Sequence, residues 1–148
     1  MKTLPLATLF LSSLTLGAAP APPPAVAPET VKVVITNLAS THSVVWINFY
    51  NAPEKFLKEG QHALHLAVKP DGKTELTLPV ALAPGEWAVA LTQDTNDNAK
   101  FDKNLLGIPT EPYAFSNNIR PRVSAPTFQE CKFMVSGPGQ VVSIALKE

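Results

Sequence analysis

Seven short segments after residue 30 alternate along the chain with a period of two, and that pattern leaves little choice of fold class. In "VKVVITNL" (31–38), Val31, Val33 and Ile35 share one side, and Lys32, Val34 and Thr36 the other. Successive side chains of a strand point to opposite faces, so such a segment is a strand with one buried face. "SVVWINFY" (43–50) is β-branched and aromatic on both faces and reads as a central strand. "HALHLAVK" (62–69) and "TELTLPV" (74–80) follow, separated by "PDGK", where Gly72 is free to take positive φ. In "EWAVALTQ" (86–93), Trp87, Val89 and Leu91 share a face opposite Ala88 and Ala90. "QECKFMVS" (129–136) and "QVVSIALK" (140–147) close the chain, joined by "GPG". Strands with turn chemistry between most of them predict an all-β fold. The expected form is a β-sandwich of about seven antiparallel strands, immunoglobulin-like or prealbumin-like, with one long ordered loop. The competing helical signal is "APEKFLKEG" (52–60), where Pro53 can start and Gly60 can stop a short helix or turn.

The segment before the first strand has other roles. Lys2, an apolar run over 4–16 and the small residues Ala18, Ala19 and Ala21 have the layout of a secretory signal, expected over 1–19. The apolar run is shorter than the roughly 20 residues that span a bilayer. Five of the fifteen prolines lie between Pro20 and Pro28, which favours an extended tether over 20–29. A single sandwich domain is then expected over 30–148. Together these imply a periplasmic or secreted protein with no membrane insertion after signal cleavage.

Charge excludes some partners. Removing Lys2 leaves eleven basic side chains against twelve acidic ones, so nothing draws the protein to nucleic acid or to an anionic membrane. The expected partner is a protein or a small molecule. The single cysteine, Cys131, has no internal disulfide partner and sits in an apparent strand, where a buried thiol is expected.

The stretch from Gln93 to about Ala125 shows no persistent alternation, and a loop of some 30 residues in a small domain signals function or disorder. Leu105, Leu106, Ile108, Tyr113 and Phe115 are too apolar for disorder and are expected to pin it to the sandwich. Its first part, "DTNDNAKFD", carries Asp94, Asn96 and Asn98 at positions 1, 3 and 5, and Asp102 at position 9. Alternate residues on a turning loop can aim oxygens at one hard cation, and the Lys100 carbonyl at position 7 could add another. The spacing resembles part of an EF-hand calcium loop. It departs at Ala99, where glycine would give the sharp turn, and at Leu105, where a glutamate would bind bidentately. Calcium is the candidate cofactor, completed by Asn104, Asp97, Glu111 or water. The alternative is a metal-free run of Asx-turns, in which Asp and Asn bond their own backbone.

In the second part, "GIPTEPYAFSNN", Pro109 and Pro112 favour extended backbone. Glu111, Tyr113, Asn117 and Asn118 are candidate ligand-binding residues, with structural plugs as the alternative.

Taken whole, the run resembles the hallmark of a bacterial secreted domain family of unknown function, D-x-N-x-N-G-x-x-D-x-N-x-x-G-I-P-x-E-x-Y-G-F-S-N-N. The matching residues are Asp94, Asn96, Asn98, Asp102, Asn104, Gly107, Ile108, Pro109, Glu111, Tyr113, Phe115, Ser116, Asn117 and Asn118. "APGEWAV" and "PTFQECKFMV" resemble the flanks, and Ala99 and Ala114 stand where the family has glycine. The resemblance implies an exported all-β domain and no known reaction.

Other chemistry has less support. His62 and His65, three apart, are expected on opposite faces of a strand, which argues against zinc. Ser116 lies in no G-x-S-x-G setting. Three functions follow, in order of support. The first is a non-enzymatic exported module, binding or structural at the cell envelope. The second is a sugar- or peptide-binding module using Tyr113, Phe115, Trp46 or Trp87. The third is a hydrolase pairing Asp97 or Asp102 with Glu111.

Overall fold

The computed structural model describes residues 27–105 and 109–146. The segments expected to be a signal (1–19) and most of a tether (20–29) lie outside the described residues, as do Leu106, Gly107 and Ile108. The fold is an all-β sandwich of two sheets. In chain order the strands are β1 (Glu29–Thr36), β2 (Val45–Tyr50), β3 (Leu64–Val68), β4 (Leu76–Leu82), β5 (Gly85–Gln93), β6 (Tyr113–Phe115), β7 (Phe133–Val135) and β8 (Val141–Ala145). One sheet runs β4-β1-β8, and the other runs β3-β2-β5-β6 with β7 paired to the start of β5.

All seven alternating segments contain strands, and the differences lie at their edges. An eighth strand, β6, sits inside the stretch expected to lack one: three residues are too few to show a period. β8 pairs with β1 in parallel, so the sandwich is not purely antiparallel. The first half of "QECKFMVS" is not extended. Phe128–Cys131 form one helical turn, α1, because Thr127 and Glu130 make a reciprocal capping box. The short helix or turn expected over 52–60 is a 3-10 turn at Pro53–Lys55.

The alternation works as its period requires. Val31, Val33 and Ile35 of β1 meet Val45, Ile47 and Phe49 of β2 and Trp87, Val89 and Leu91 of β5 between the sheets, all buried. β5 is covered on its other face too. There Ala88 and Ala90 leave room for Tyr50, Phe56, Phe115, Phe128 and Cys131 to form a second core. Phe56 is its hub, meeting Tyr50 edge-on at 5.3 Å and Phe128 edge-on at 5.9 Å. Cys131 is buried as expected, on α1 rather than on a strand, and burial, with the Glu130 charge, pushes its thiol up to about 12.

Gly85 opens β5 with φ 136, a backbone conformation that suits glycine. The Trp87 indole N–H donates to the Ala83 carbonyl across that turn at 2.8 Å. Among the described residues no helix is long and apolar enough to cross a membrane.

Candidate functional site

The excursion after β5 starts from a buried polar pin. Gln93 continues the inward parity of Val89 and Leu91, so its amide points into the sandwich, fully buried. Its Oε1 accepts from Ala39 N at 2.8 Å, and its Nε2 donates to Ser40 O at 2.6 Å and Ser43 O at 3.2 Å. Every polar atom of the side chain is therefore satisfied, and the β1–β2 loop is tied to the end of β5. The inward parity alone could have marked this residue in the sequence.

Asp94 follows, only 2% exposed. Its carboxylate accepts from Asn98 N at 3.2 Å and Ala99 N at 2.8 Å, which folds the acidic stretch into a tight loop. Asn96 Oδ1 accepts from Asn98 N, and Asn98 Oδ1 accepts from Lys100 N, two successive Asx-turns. Asp97 and Ala99 take φ of 56° and 58°. Ala99 thus adopts the left-handed conformation that glycine would favour, at a cost of roughly 1–2 kcal/mol. The Asn96 and Asn98 amide nitrogens both donate to Asp102 Oδ2, at 2.7 and 2.6 Å. The side chains at positions 3 and 5 therefore meet the one at position 9, while the side chain at position 1 bonds the loop backbone.

Glu111 closes the loop from the far side. It is 5% exposed, with Oε1 accepting from Thr95 N at 3.2 Å and Oε2 from Asp102 N at 3.4 Å. Burial raises its carboxyl above the ordinary range. The Asp102 N–H pulls the other way, the Asp94 charge raises it, the Thr95 N–H lowers it, and the Asp102 charge raises it again. Of the apolar residues expected to pin the excursion, Phe115 is buried in the second core and Tyr113 packs against it, Leu105 is fully exposed, and Leu106 and Ile108 lie outside the described residues. Among the described residues no three His, Cys, Asp or Glu side chains are grouped to hold a metal ion. An ion here would need the oxygens of Asn96, Asn98 and the Lys100 backbone.

Beyond Glu111 the chain becomes β6 and then "SNN". β5 has Ala90 opposite Phe115 on β6 and Trp87 opposite Phe133 on β7. Continuing both registers brings Ser116 and Cys131 opposite Val89, where the ladder passes from one short strand to the other. The Ser116 hydroxyl fills that junction. It accepts from Val89 N at 2.8 Å and donates to Cys131 O at 2.5 Å. Asn117 Nδ2 donates to Lys132 O and Glu130 O, holding α1 and the start of β7. Asn118 reaches the other sheet. Its Oδ1 accepts from Ala145 N at 2.8 Å and its Nδ2 donates to Ser143 O at 3.3 Å, pairing the free edge of β8 as a strand would. Both asparagines have φ near 60°, which their residue type tolerates better than most.

The aromatic candidates divide. Trp87 and Phe115 are buried in the two cores, so neither is a ligand contact. Trp46 and Tyr113 are half-buried on the outer face of the five-stranded sheet, each opposite Thr92. Trp46 stacks on His65 at 5.3 Å, and His65 Nδ1 lies 2.7 Å from Asn48 Oδ1. His62 and His65 are not on opposite faces. β3 begins only at Leu64, so strand parity does not extend back to His62, and the two rings lie 5.2 Å apart. Burial, and then the neighbouring His62, hold the His65 imidazole below its usual range.

Residues 33–143 match the family described as an uncharacterized protein conserved in bacteria, DUF2141. The chain belongs to that family. No curated protein and no solved structure matches it. The family match runs from within β1 to within β8 and so includes the acidic loop, Glu111 and the Ser116-Asn117-Asn118 clasp.

Proposed function

We propose that this DUF2141 protein is a non-catalytic β-sandwich module exported to the bacterial cell envelope, with a binding or structural role there and with an acidic loop that takes a calcium ion. The observation that carries the first part is the engagement of the polar side chains in the loop and clasp. Glu111, Ser116, Asn117 and Asn118 are each bonded to backbone groups of other segments, as a residue holding a fold would be. A general acid or base has to face its substrate, and Glu111 faces backbone N–H groups. The export part rests on the layout of residues 1–19.

Calcium is supported by the gathering of Asn96 and Asn98 on Asp102. Turning the two amides would bring two carbonyl oxygens beside a carboxylate, an arrangement that a hard cation satisfies, at the cost of the Asx-turn bonds that those oxygens now accept from Asn98 N and Lys100 N. Asp94, Asn96, Asn98, Asp102 and the Lys100 carbonyl would hold the ion, which would supply charge neutralisation and stiffness to the loop.

Cell fractionation and calcium-dependent melting test the two parts separately. The protein should be found in the periplasm or medium, shortened at its N-terminus. Its Tm should rise with calcium, and the rise should vanish in Asp94→Ala and Asp102→Ala. A cytoplasmic, full-length protein would overturn the export reading, and a flat Tm at millimolar calcium would overturn the ion.

A sugar- or peptide-binding role is a second reading. It is favoured by Trp46 and Tyr113, half-exposed in one register row across Thr92. Loss of glycan or peptide capture in Trp46→Ala and Tyr113→Ala would support it, and no capture by the wild type would remove it.

A further inference from the structure

His62 and His65 lie outside the acidic loop and the clasp, and neither is needed to explain the fold. We propose that they form a surface chelate for a borderline divalent transition metal of the Cu²⁺ or Zn²⁺ class, oriented by Asn48 and Trp46.

The ring spacing is the first support. A metal sits about 2.0–2.1 Å from each imidazole nitrogen, hence about 3.2 Å from each ring centroid, so two imidazoles at square-planar to tetrahedral angles have centroids about 4.5–5.2 Å apart. The observed separation is 5.2 Å with the planes inclined by 38°.

The tautomer is the second. The Asn48 carbonyl oxygen accepts from His65 Nδ1 at 2.7 Å, which places the ring proton there and leaves the Nε2 lone pair bare. A metal-binding histidine typically donates its other ring N–H to a carbonyl or carboxylate in this way.

Rigidity is the third. His65 stands on β3 directly opposite Asn48 on β2, and Trp46 stacks on its ring at 5.3 Å and 21°. His62 is one residue from an anchor, because Ala63 N donates to Phe49 O at 2.8 Å. Little ordering is left for the metal to impose. No third His, Cys, Asp or Glu among the described residues completes the group, so water or a donor from another molecule fills the remaining positions. Imidazole suits these metals and not calcium, so this site and the acidic loop are independent.

The test is a Cu²⁺ titration of the full chain, purified without a polyhistidine tag and stripped with EDTA, read by tryptophan fluorescence. Trp46, against His65, should be quenched to saturation at stoichiometric metal. EDTA should reverse the quench, Zn²⁺ should compete and millimolar Ca²⁺ should not. Trp46→Phe should remove the quench. His62→Gln and His65→Gln should each weaken binding at least about tenfold, and Asn48→Ala about tenfold, as loss of an orienting partner does. His42→Gln should change nothing. An unsaturable quench, an unchanged midpoint in the double His62→Gln/His65→Gln variant, or equal loss in His42→Gln would each overturn the proposal. Ring shifts at His62 and His65 on adding Zn²⁺ to the wild type, followed by NMR, give a check that needs no variant. Unmoved rings there would also overturn it.

Discussion

Between Asp94 and Asp102, side-chain hydrogen bonds within the loop reach partners two to six residues away. From Ser116 to Asn118 they reach partners 13 to 27 residues away. One excursion thus contains two kinds of structure. The acidic half bends itself and is tied down at its ends by the buried Asp94 and by Glu111. The clasp half has little internal bonding and instead joins β5, β7, α1 and β8. Local bonds can open without the sheets separating, whereas the clasp cannot open without exposing strand edges. The comparison teaches that one polar signature can bend a loop on itself in one half and join distant strands in the other.

The largest expected effect is in the clasp. Ser116→Ala leaves Val89 N–H buried without an acceptor, which should lower unfolding free energy by about 1–3 kcal/mol, read from urea midpoints. Asn118→Ala should follow. It places alanine at φ 53° and strips two bonds from the edge of β8, and the backbone share is below the roughly 1–2 kcal/mol of a left-handed residue because asparagine already bears part of it. Asn118→Gly relieves the backbone but not the bonds, so the difference between the two variants separates these contributions. An Asn118→Ala protein as stable as wild type would break the comparison.

In the acidic half the effects should be smaller and can have the opposite sign. Ala99→Gly keeps the left-handed turn without the Cβ penalty and should stabilise by up to about 1 kcal/mol, with calcium present or absent. The Glu111 effect is a slope. Its raised folded pKa means that the folded state holds the proton more tightly than the unfolded chain does. The associated stability is present below the ordinary carboxylate value and is lost as pH rises through the raised one. Urea midpoints across that window should fall with pH, and Glu111→Gln should flatten the fall.

Much of this was legible in the residues. Alternation located the two-sheet core because one slip in parity would have exposed Val31, Val33 and Ile35 together. The Asx-turns of Asn96 and Asn98 were legible as one of two readings of that spacing, since short-range geometry is written in short-range sequence. What stayed hidden needed pairing. β6 is too short to show a period, and its strand character comes from its neighbour β5. The clasp depends on registers that place Ser116 and Cys131 opposite the same Val89. The His62–His65 contact failed a parity argument because the strand begins two residues later than that argument assumed. Hydrophobicity alone placed Phe115 and Tyr113 against the sandwich, where they pack on the second core, but it failed at Leu105, which lies in solvent.

Amide hydrogen exchange, resolved by residue, tests the division of the excursion most directly. Val89 and Ala145 donate to Ser116 and Asn118, and both amides should exchange only through global unfolding. The Asn98 and Ala99 amides should exchange faster, through local opening of the Asp94 turn. Val89 and Ala145 exchanging as fast as Ala99 would contradict the clasp.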